Sequence, residues 1–406
     1  METDKNVHRH HDVIIIGAGI GGLALANGLG QKGIDVAVYE RDPDAVTRNQ
    51  GYRLTINEEG DKALKSLIAD NLYRLLVDTS GREGHAFTIY SRKKKIFHQQ
   101  KFDLKTNEPS LASRQVDRQI LRAALFNGVI EKVIFGKTYQ SYQQESGLVT
   151  VKFNDGHTAT CNILIGADGT GSKIRAQLFP DSPVQSLGIH SIYCRTPLLL
   201  NGKSLLAPDL VGNGLIAVST DIRSLFWKKH KRGLFMTSIR FKEKPEAAGV
   251  KYQIDLKVAD RDDYVMWAVL YPESAAQQIN YNSSKKELYD TAVKLLKGYH
   301  PDFMNVVDHG EVSDTLFVPF RVAEPKINQD KNSKITLIGD AMHVMPPTGA
   351  HGANTALRDA LTLYTELIQN NKNEHRKALR DYESKMFTYA VEAKKESLTV
   401  IKKLRF

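Results

Sequence analysis

Val13-Ile14-Ile15-Ile16-Gly17-Ala18-Gly19-Ile20-Gly21-Gly22-Leu23-Ala24-Leu25-Ala26, followed by Gly33 and then Asp35-Val36-Ala37-Val38-Tyr39-Glu40, is the stretch that decides the fold. Residues 13–30 run eighteen positions without a charge, and six of the eighteen are glycine. A run of that length raises the question of a membrane span. Each glycine, however, costs a helix about 1 kcal/mol relative to alanine, and here the glycines are bunched. The β-branched run 13–16 predicts a buried parallel strand. Gly17 to Gly22 then reads as a tight turn, Leu23 onward as a helix, and residues 35–40 as a second strand closing on an acid. Gly17, Gly19 and Gly22 in that setting, with Glu40 ending the next strand, match the dinucleotide fingerprint. Gly17 allows the turn, and Gly19 lets the backbone approach a pyrophosphate at the helix N-terminus. Gly22 permits close helix–strand packing, and Glu40 can accept hydrogen bonds from ribose hydroxyls.

Two later stretches repeat the strand-to-glycine pattern. Asn162-Ile163-Leu164-Ile165-Gly166-Ala167-Asp168-Gly169 runs from an apolar strand into a turn, with a helix starting within 170–175. Ile335-Thr336-Leu337-Ile338-Gly339-Asp340 does the same and leads into Ala341-Met342-His343-Val344-Met345-Pro346-Pro347. Thr348-Gly349-Ala350-His351-Gly352-Ala353-Asn354 then reads as a loop delivering the chain to a helix at Thr355. A carboxylate at a strand end can accept from sugar or ribityl hydroxyls, and the loop and helix start beyond it expose N–H donors.

Together these residues resemble the class A FAD-dependent aromatic monooxygenases, the para-hydroxybenzoate hydroxylase-like group. That group includes salicylate and kynurenine hydroxylases, polyketide hydroxylases and tetracycline-inactivating monooxygenases. The three motifs stand in the family's order and spacing, and the resemblance spans most of residues 12–370. It implies FAD as cofactor, with Gly17, Gly19 and Gly22 at the pyrophosphate, Glu40 at the adenosine ribose, and Arg41 adjacent. In Val116-Asp117-Arg118-Gln119-Ile120-Leu121, Arg118 matches the arginine that reaches the flavin's phosphate or ribityl region, with Arg114 as the alternative. Asp168 would serve FAD and the nicotinamide cofactor, and Asp340 the ribityl or pyrophosphate region. Pro346, Pro347 and the loop containing Gly349, Gly352, Ala353 and Asn354 would border the isoalloxazine ring. Met342, in place of an alanine, and Ala353, in place of a larger apolar residue, depart from the family pattern without removing a polar group. His343 reads as a structural hydrogen-bonder, and Asp359 as either helix surface or a ligand.

The resemblance also implies an architecture and a reaction. The fold class expected is α/β: a Rossmann-like FAD-binding domain of the glutathione-reductase type, an inserted and mostly antiparallel substrate-domain sheet, and a C-terminal helix. The boundaries expected are 1–75, 104–183 and 273–370 for the FAD domain, 76–103 and 184–272 for the substrate domain, and 371–406 for the helical end. NADPH or NADH would act as a transient reductant, since no second glycine fingerprint exists for a separate nicotinamide domain. O2 would form a flavin C4a-hydroperoxide that inserts one oxygen atom into an aromatic or polycyclic, polyketide- or tetracycline-like small molecule. A reductase or dehydrogenase of the same fold is the alternative, and a flavin-binding regulatory protein without turnover is a third. The halogenase signature WxWxIP is absent, with Trp227 and Trp267 standing alone. The sequence shows no general acid or base. Tyr193, Arg195, Phe235, Met236 and Trp267 lie on expected substrate-domain strands and are equally explicable as core.

Composition narrows the classes without choosing among them. The chain has 406 residues, 41% hydrophobic and 25% charged, ordinary for a globular protein of two or three domains. Its net charge of +10 suits anionic ligands, but the longest basic run, Arg92-Lys93-Lys94-Lys95, is short and not interleaved with aromatic residues, so nucleic acid is not an expected partner. Lys394, Lys395, Lys402, Lys403 and Arg405 read as a solvated helix face. Cys161 and Cys194 form no CxxC, imply no zinc, and suit a reducing cytoplasm. No signal peptide is expected at Met1-Glu2-Thr3-Asp4-Lys5. His8, His10 and His11 read as a frayed terminus, with no metal site expected.

Overall fold

The β-branched run forms the centre of a parallel sheet, as its double-sided apolar character requires. Arg9–Ile16 pairs in parallel with Val36–Tyr39 on one side and Thr158–Gly166 on the other. Val133–Ile134 and Ile335–Leu337 extend the parallel layer, while Leu148–Phe153 and Tyr139–Glu145 add antiparallel strands. The computed structural model describes residues 9–47, 51–82, 84, 86–101, 111–211, 213–219, 232–257, 261–370 and 374–404. The first strand begins four residues earlier than the apolar pattern suggests. His10 and His11 are not frayed: His11 is buried, with Nδ1 3.0 Å from Asp35 Oδ2. His8 lies outside the described residues. Helix Ile20–Gln31 also starts early and takes in Gly21 and Gly22.

The second sheet runs in the order Leu316–Val322, Gln185–Pro197, Tyr264–Pro272, Gly233–Ile239, Asn213–Ser219, Ala86–Ser91, Ile96–Lys101. It is antiparallel except where Asn213–Ser219 meets Ala86–Ser91. Alternation along its strands divides two faces. Ile192, Cys194, Met236, Trp267, Val269 and Tyr271 enter a core closed by helices Lys285–Leu295 and Pro301–Asp308. Ile189, Ala268, Leu270 and Phe320, with half-buried Tyr193 and Phe235, line the opposite face. The expected return to the FAD domain at residue 273 therefore comes too early. Residues 285–308 cover the second sheet and 316–322 form its edge strand, because their apolar faces complete that sheet's core. Trp267 and Met236 belong to the face covered by those helices and are core residues.

One buried carboxylate joins the two layers. Asp117 caps helix Arg118–Asn127 by accepting from the Gln119 and Ile120 amides through Oδ1. Its Oδ2 accepts from Tyr264 Oη at 2.7 Å and from Arg261 Nη1 at 3.1 Å. Arg195 lies over the Tyr264 ring and is held by Glu311 and Asp314. The long helix His375–Leu404 packs on His351–Gln369. Its expected solvated basic face is only partly so, since Lys394 is largely buried against Glu324. The Lys403 side chain and Arg405 lie outside the described residues. Replacing Asp117 by Ala strands the buried Arg261 cation and removes the cap, an expected loss of about 3–5 kcal/mol. Tyr264→Phe, which removes one hydrogen bond, should cost about 1 kcal/mol. Urea-denaturation midpoints of the two variants test that ranking.

Candidate functional site

The glycine turn separates into positions that the protein's own packing requires and one that it does not. Gly17 has φ +105°, its amide donates to Tyr39 O at 2.8 Å, and a Cβ there would lie 2.4 Å from Ala167 O. A Cβ on Gly22 would lie 2.4 Å from Gly17 O. Gly19 is extended, and a Cβ on it would meet only Ala167 O, at 3.8 Å. The space above Gly19 is thus open, and the helix that follows has neither a side-chain cap nor an acid in its first turn. That leaves the positive end of the helix turned to whatever enters. Glu40 is buried. Its Oε2 accepts from the Ala18 amide at 2.6 Å and its Oε1 from the Asp42 amide at 3.0 Å, so the carboxylate shapes the turn while retaining lone pairs for a hydroxyl donor. Arg41 is exposed beside it. Arg122, not singled out by the motifs, braces this loop: its Nη1 donates to Ala45 O at 2.8 Å and its guanidinium stacks on Phe126.

The ends of the other two motif strands meet the turn. The Ala167 amide donates to Ile16 O and the Ile338 amide to Gly166 O. Asp168 Oδ2 accepts from the Lys173 amide at 2.9 Å, while Oδ1 is enclosed without a partner. Burial pushes the Asp168 carboxyl up. Thr170 Oγ1 donates to Asp340 Oδ2 at 3.3 Å. Asp340 is solvent-accessible, yet surrounding protein raises its carboxyl, with the charges of His343 and Arg118 acting in the opposite sense. Asp340 thus stands at the surface with its charge partly shielded from water by the residues around it. Arg118 therefore lies within electrostatic reach of Asp340, and Gly51 leaves room for its side chain, with 3.7 Å from a Cβ to Arg118 Cδ. Arg114 is buried on the strand paired with Arg53–Ile56.

The late glycine loop is shorter than its sequence suggests. Helix His351–Gln369 begins right after Ala350, which adopts φ +59°, so Gly352, Ala353 and Asn354 form its first turn. Pro347 and Gly349 are exposed and Pro346 is buried. A Cβ on Gly352 would lie 3.9 Å from Asp340 Oδ1, which puts the helix start against that carboxylate. Asn354 turns inward. Its Oδ1 accepts from the Asn57 amide, and its Nδ2 donates to Thr55 O and Ala350 O. The residue stitches the helix to the Arg53–Ile56 strand and is itself buried.

Beneath the loop lies a buried network. Asp359 accepts from His343 Nε2 at 2.6 Å, Tyr389 Oη at 2.7 Å and the Gly339 amide at 2.7 Å. It is neither helix surface nor a ligand, and His343 is the structural hydrogen-bonder expected. Burial presses the His343 pKa down, but the Asp359 charge and hydrogen bond, with the Asp340 charge, outweigh it and hold the imidazole above its ordinary value. A raised folded pKa means stability that is full below about 6.5 and lost as pH rises through the folded value. Asp359→Asn should cost about 3 kcal/mol near pH 6. The deficit should shrink as pH rises through the His343 transition, read from urea unfolding of both proteins across pH.

Comparison with known proteins agrees with this geometry. The family described as FAD binding domain matches residues 10–189 and 307–396. The dual O-methyltransferase/FAD-dependent monooxygenase CTB3 of Cercospora beticola is 27% identical over 402 residues, covering 93% of this chain and 44% of that protein. The chain thus spans less than half the length of that curated relative. A crystal structure of a candidate FAD-containing monooxygenase from Photorhabdus luminescens is 27% identical, with TM-score 0.77 and 97% of each chain covered. Klebsiella pneumoniae HpxO, crystallised with FAD and uric acid, shares the fold at 20% identity and TM-score 0.68, with 96% of this chain and 88% of that chain covered. With the glycine turn and both strand-end aspartates in place, the chain belongs to the FAD binding domain family, and FAD is its cofactor.

Proposed function

We propose that this chain is an FAD-dependent monooxygenase that uses NADPH or NADH and O2 to insert one oxygen atom into an aromatic or polycyclic small molecule. The observation that carries the reading is the convergence of three glycine-marked strand ends of the parallel sheet at one end of that sheet, with open space above Gly19. The open space at Gly19 and the partnerless Oδ1 of Asp168 fit the cofactor. Gly17, Gly19 and Gly22 would hold its pyrophosphate, with Glu40 and Arg41 at the adenosine end. Arg118, Asp168 and Asp340 would take the phosphate, ribityl and nicotinamide side. Pro347, Gly349, Gly352 and Ala353 would flank the ring, and Asn354 would act from behind by fixing the helix start.

Bound FAD supplies two-electron chemistry and activation of O2. This chain's residues bind it, orient it and exclude water from the cleft. The balance is substrate C–H plus O2, NAD(P)H and a proton, giving substrate C–OH, NAD(P)+ and water. The wall for the substrate would be the second sheet's apolar face at Ile189, Tyr193, Phe235, Ala268 and Leu270, which packs together with Ile401 of the last helix. Among the described residues, no helix is long and apolar enough to cross a membrane. Cys161 and Cys194 are buried free thiols, each pushed up to about 12 by burial, which suits a reducing, cytoplasmic location.

The test is cofactor consumption in air by the FAD-loaded protein over phenols, polycyclic aromatics and tetracyclines, with isotopically labelled O2 and mass spectrometry of the products. A compound that accelerates consumption and gains one labelled oxygen atom supports the reading. Ready reduction with no labelled product from any compound contradicts it and favours the reductase alternative.

A further inference from the structure

Arg53 is a cation that the fold encloses without compensating. It opens the strand Arg53–Ile56 and is half-buried. Its Nη2 donates to Thr55 Oγ1 at 3.1 Å, and its Nε is enclosed with no partner. Among the described residues, no carboxylate lies within ion-pair distance of it. The acid opposite it in the ladder, Asp117, is committed to Tyr264, Arg261 and two helix amides.

Several other interior arginines have more compensation: Arg195 has Glu311 and Asp314, Arg261 has Asp117, Arg122 has Asp42 at 3.8 Å and the Ala45 carbonyl, and Arg175 has the carbonyls of Ser182, Met342 and Glu324. Burial pulls the Arg53 guanidinium down to about 10, with only the Tyr264 hydroxyl acting to raise it. A desolvated cation left this way is unfavourable unless an anion completes it.

Its position says which anion. Thr55 O and the Asn57 amide are stitched by Asn354 to the first turn of helix His351–Gln369. Gly352 of that turn abuts Asp340. Tyr264 stands on the second sheet, two residues before Met266 and four before Ala268 on the same face. Arg53 thus sits where the wall assigned to the flavin ring meets the wall assigned to the substrate.

We propose that Arg53 is the specificity-determining residue of the cleft and binds an ionised acidic oxygen, carboxylate or phenolate, of the substrate. The planar guanidinium presents paired donors that suit such a group. The assignment rests on the monooxygenase reading for the identity of the cleft.

The test uses FAD-loaded protein without NAD(P)H, following the bound flavin's visible spectrum during ligand titration. Two matched pairs serve as probes: 1-hydroxy-2-naphthoate against its neutral amide, and alizarin against its dimethyl ether. The wild type should bind the acidic member of at least one pair about 10- to 100-fold more tightly. Arg53→Met should abolish that preference while leaving the neutral member's affinity and the FAD content as in wild type and the thermal stability no lower than in wild type. Arg53→Lys should restore part of the preference. A wild type that prefers neither member of either pair overturns the proposal, and so does a preference that survives in Arg53→Met. Loss of FAD affinity in Arg53→Met by the same factor as loss of the acid also overturns it, by placing the cation on the cofactor. Acid preference that tracks Arg53 in a protein that never transfers oxygen would sink the monooxygenase reading alone.

Discussion

The carbonyl oxygen of Ala167 stands 2.4 Å from where a side chain on residue 17 would begin. That approach, possible only over a glycine, brings the end of the first strand against the end of the strand 158–166. The hydrogen bond from the Ala167 amide to Ile16 O closes the contact from the other side. Ile335–Leu337 docks next to the same strand end, so the three motifs come within reach of one ligand although more than three hundred residues separate the first from the last. The position of Asp168 and Asp340, and of the helix start at His351, depends on that one close approach.

Around this point the molecule holds charges in an uncompensated state. Asp168 keeps one oxygen without a donor, Asp340 is desolvated yet reachable, and Arg53 has no acid within ion-pair distance among the described residues. Groups of this kind are unfavourable in an isolated fold and become favourable when a polar ligand supplies what is missing. Elsewhere the fold satisfies its charges locally: Lys94 by Asp209 and Asp302, Lys394 by Glu324, His343 by Asp359. The net charge of +10 is therefore a poor guide to what enters the cleft. A single half-buried arginine says more than the surplus of lysines.

Legibility in the sequence follows from where each constraint acts. Gly17 and Gly22 are readable because a backbone conformation or a close contact admits no other residue, and the parallel strands because burial on both faces requires unbroken apolar runs. Asn354, Asp359, Arg122 and Arg53 were not readable in their roles, since each is defined by partners brought near only by folding. Asn354 reads as part of a glycine-rich loop, yet its side-chain amide bonds to Thr55 and Asn57 nearly three hundred residues away. The early start of the first strand was hidden for the same reason, because His11 looks polar until Asp35 is placed beside it. The return to the second sheet at 285–322 carries no local marker. Those helices and that strand are amphipathic, and which core they complete is a tertiary matter.

The central claim is that the glycine turn and Glu40 hold the adenosine diphosphate half of FAD while the other two strand ends hold the flavin half. The most direct measurement is the dissociation constant of the flavin-free protein for FAD and for FMN, titrated side by side by quenching of flavin fluorescence. The account predicts that FAD binds at least about 100-fold more tightly, since only FAD reaches the turn at Gly19. Equal affinities for the two would contradict it.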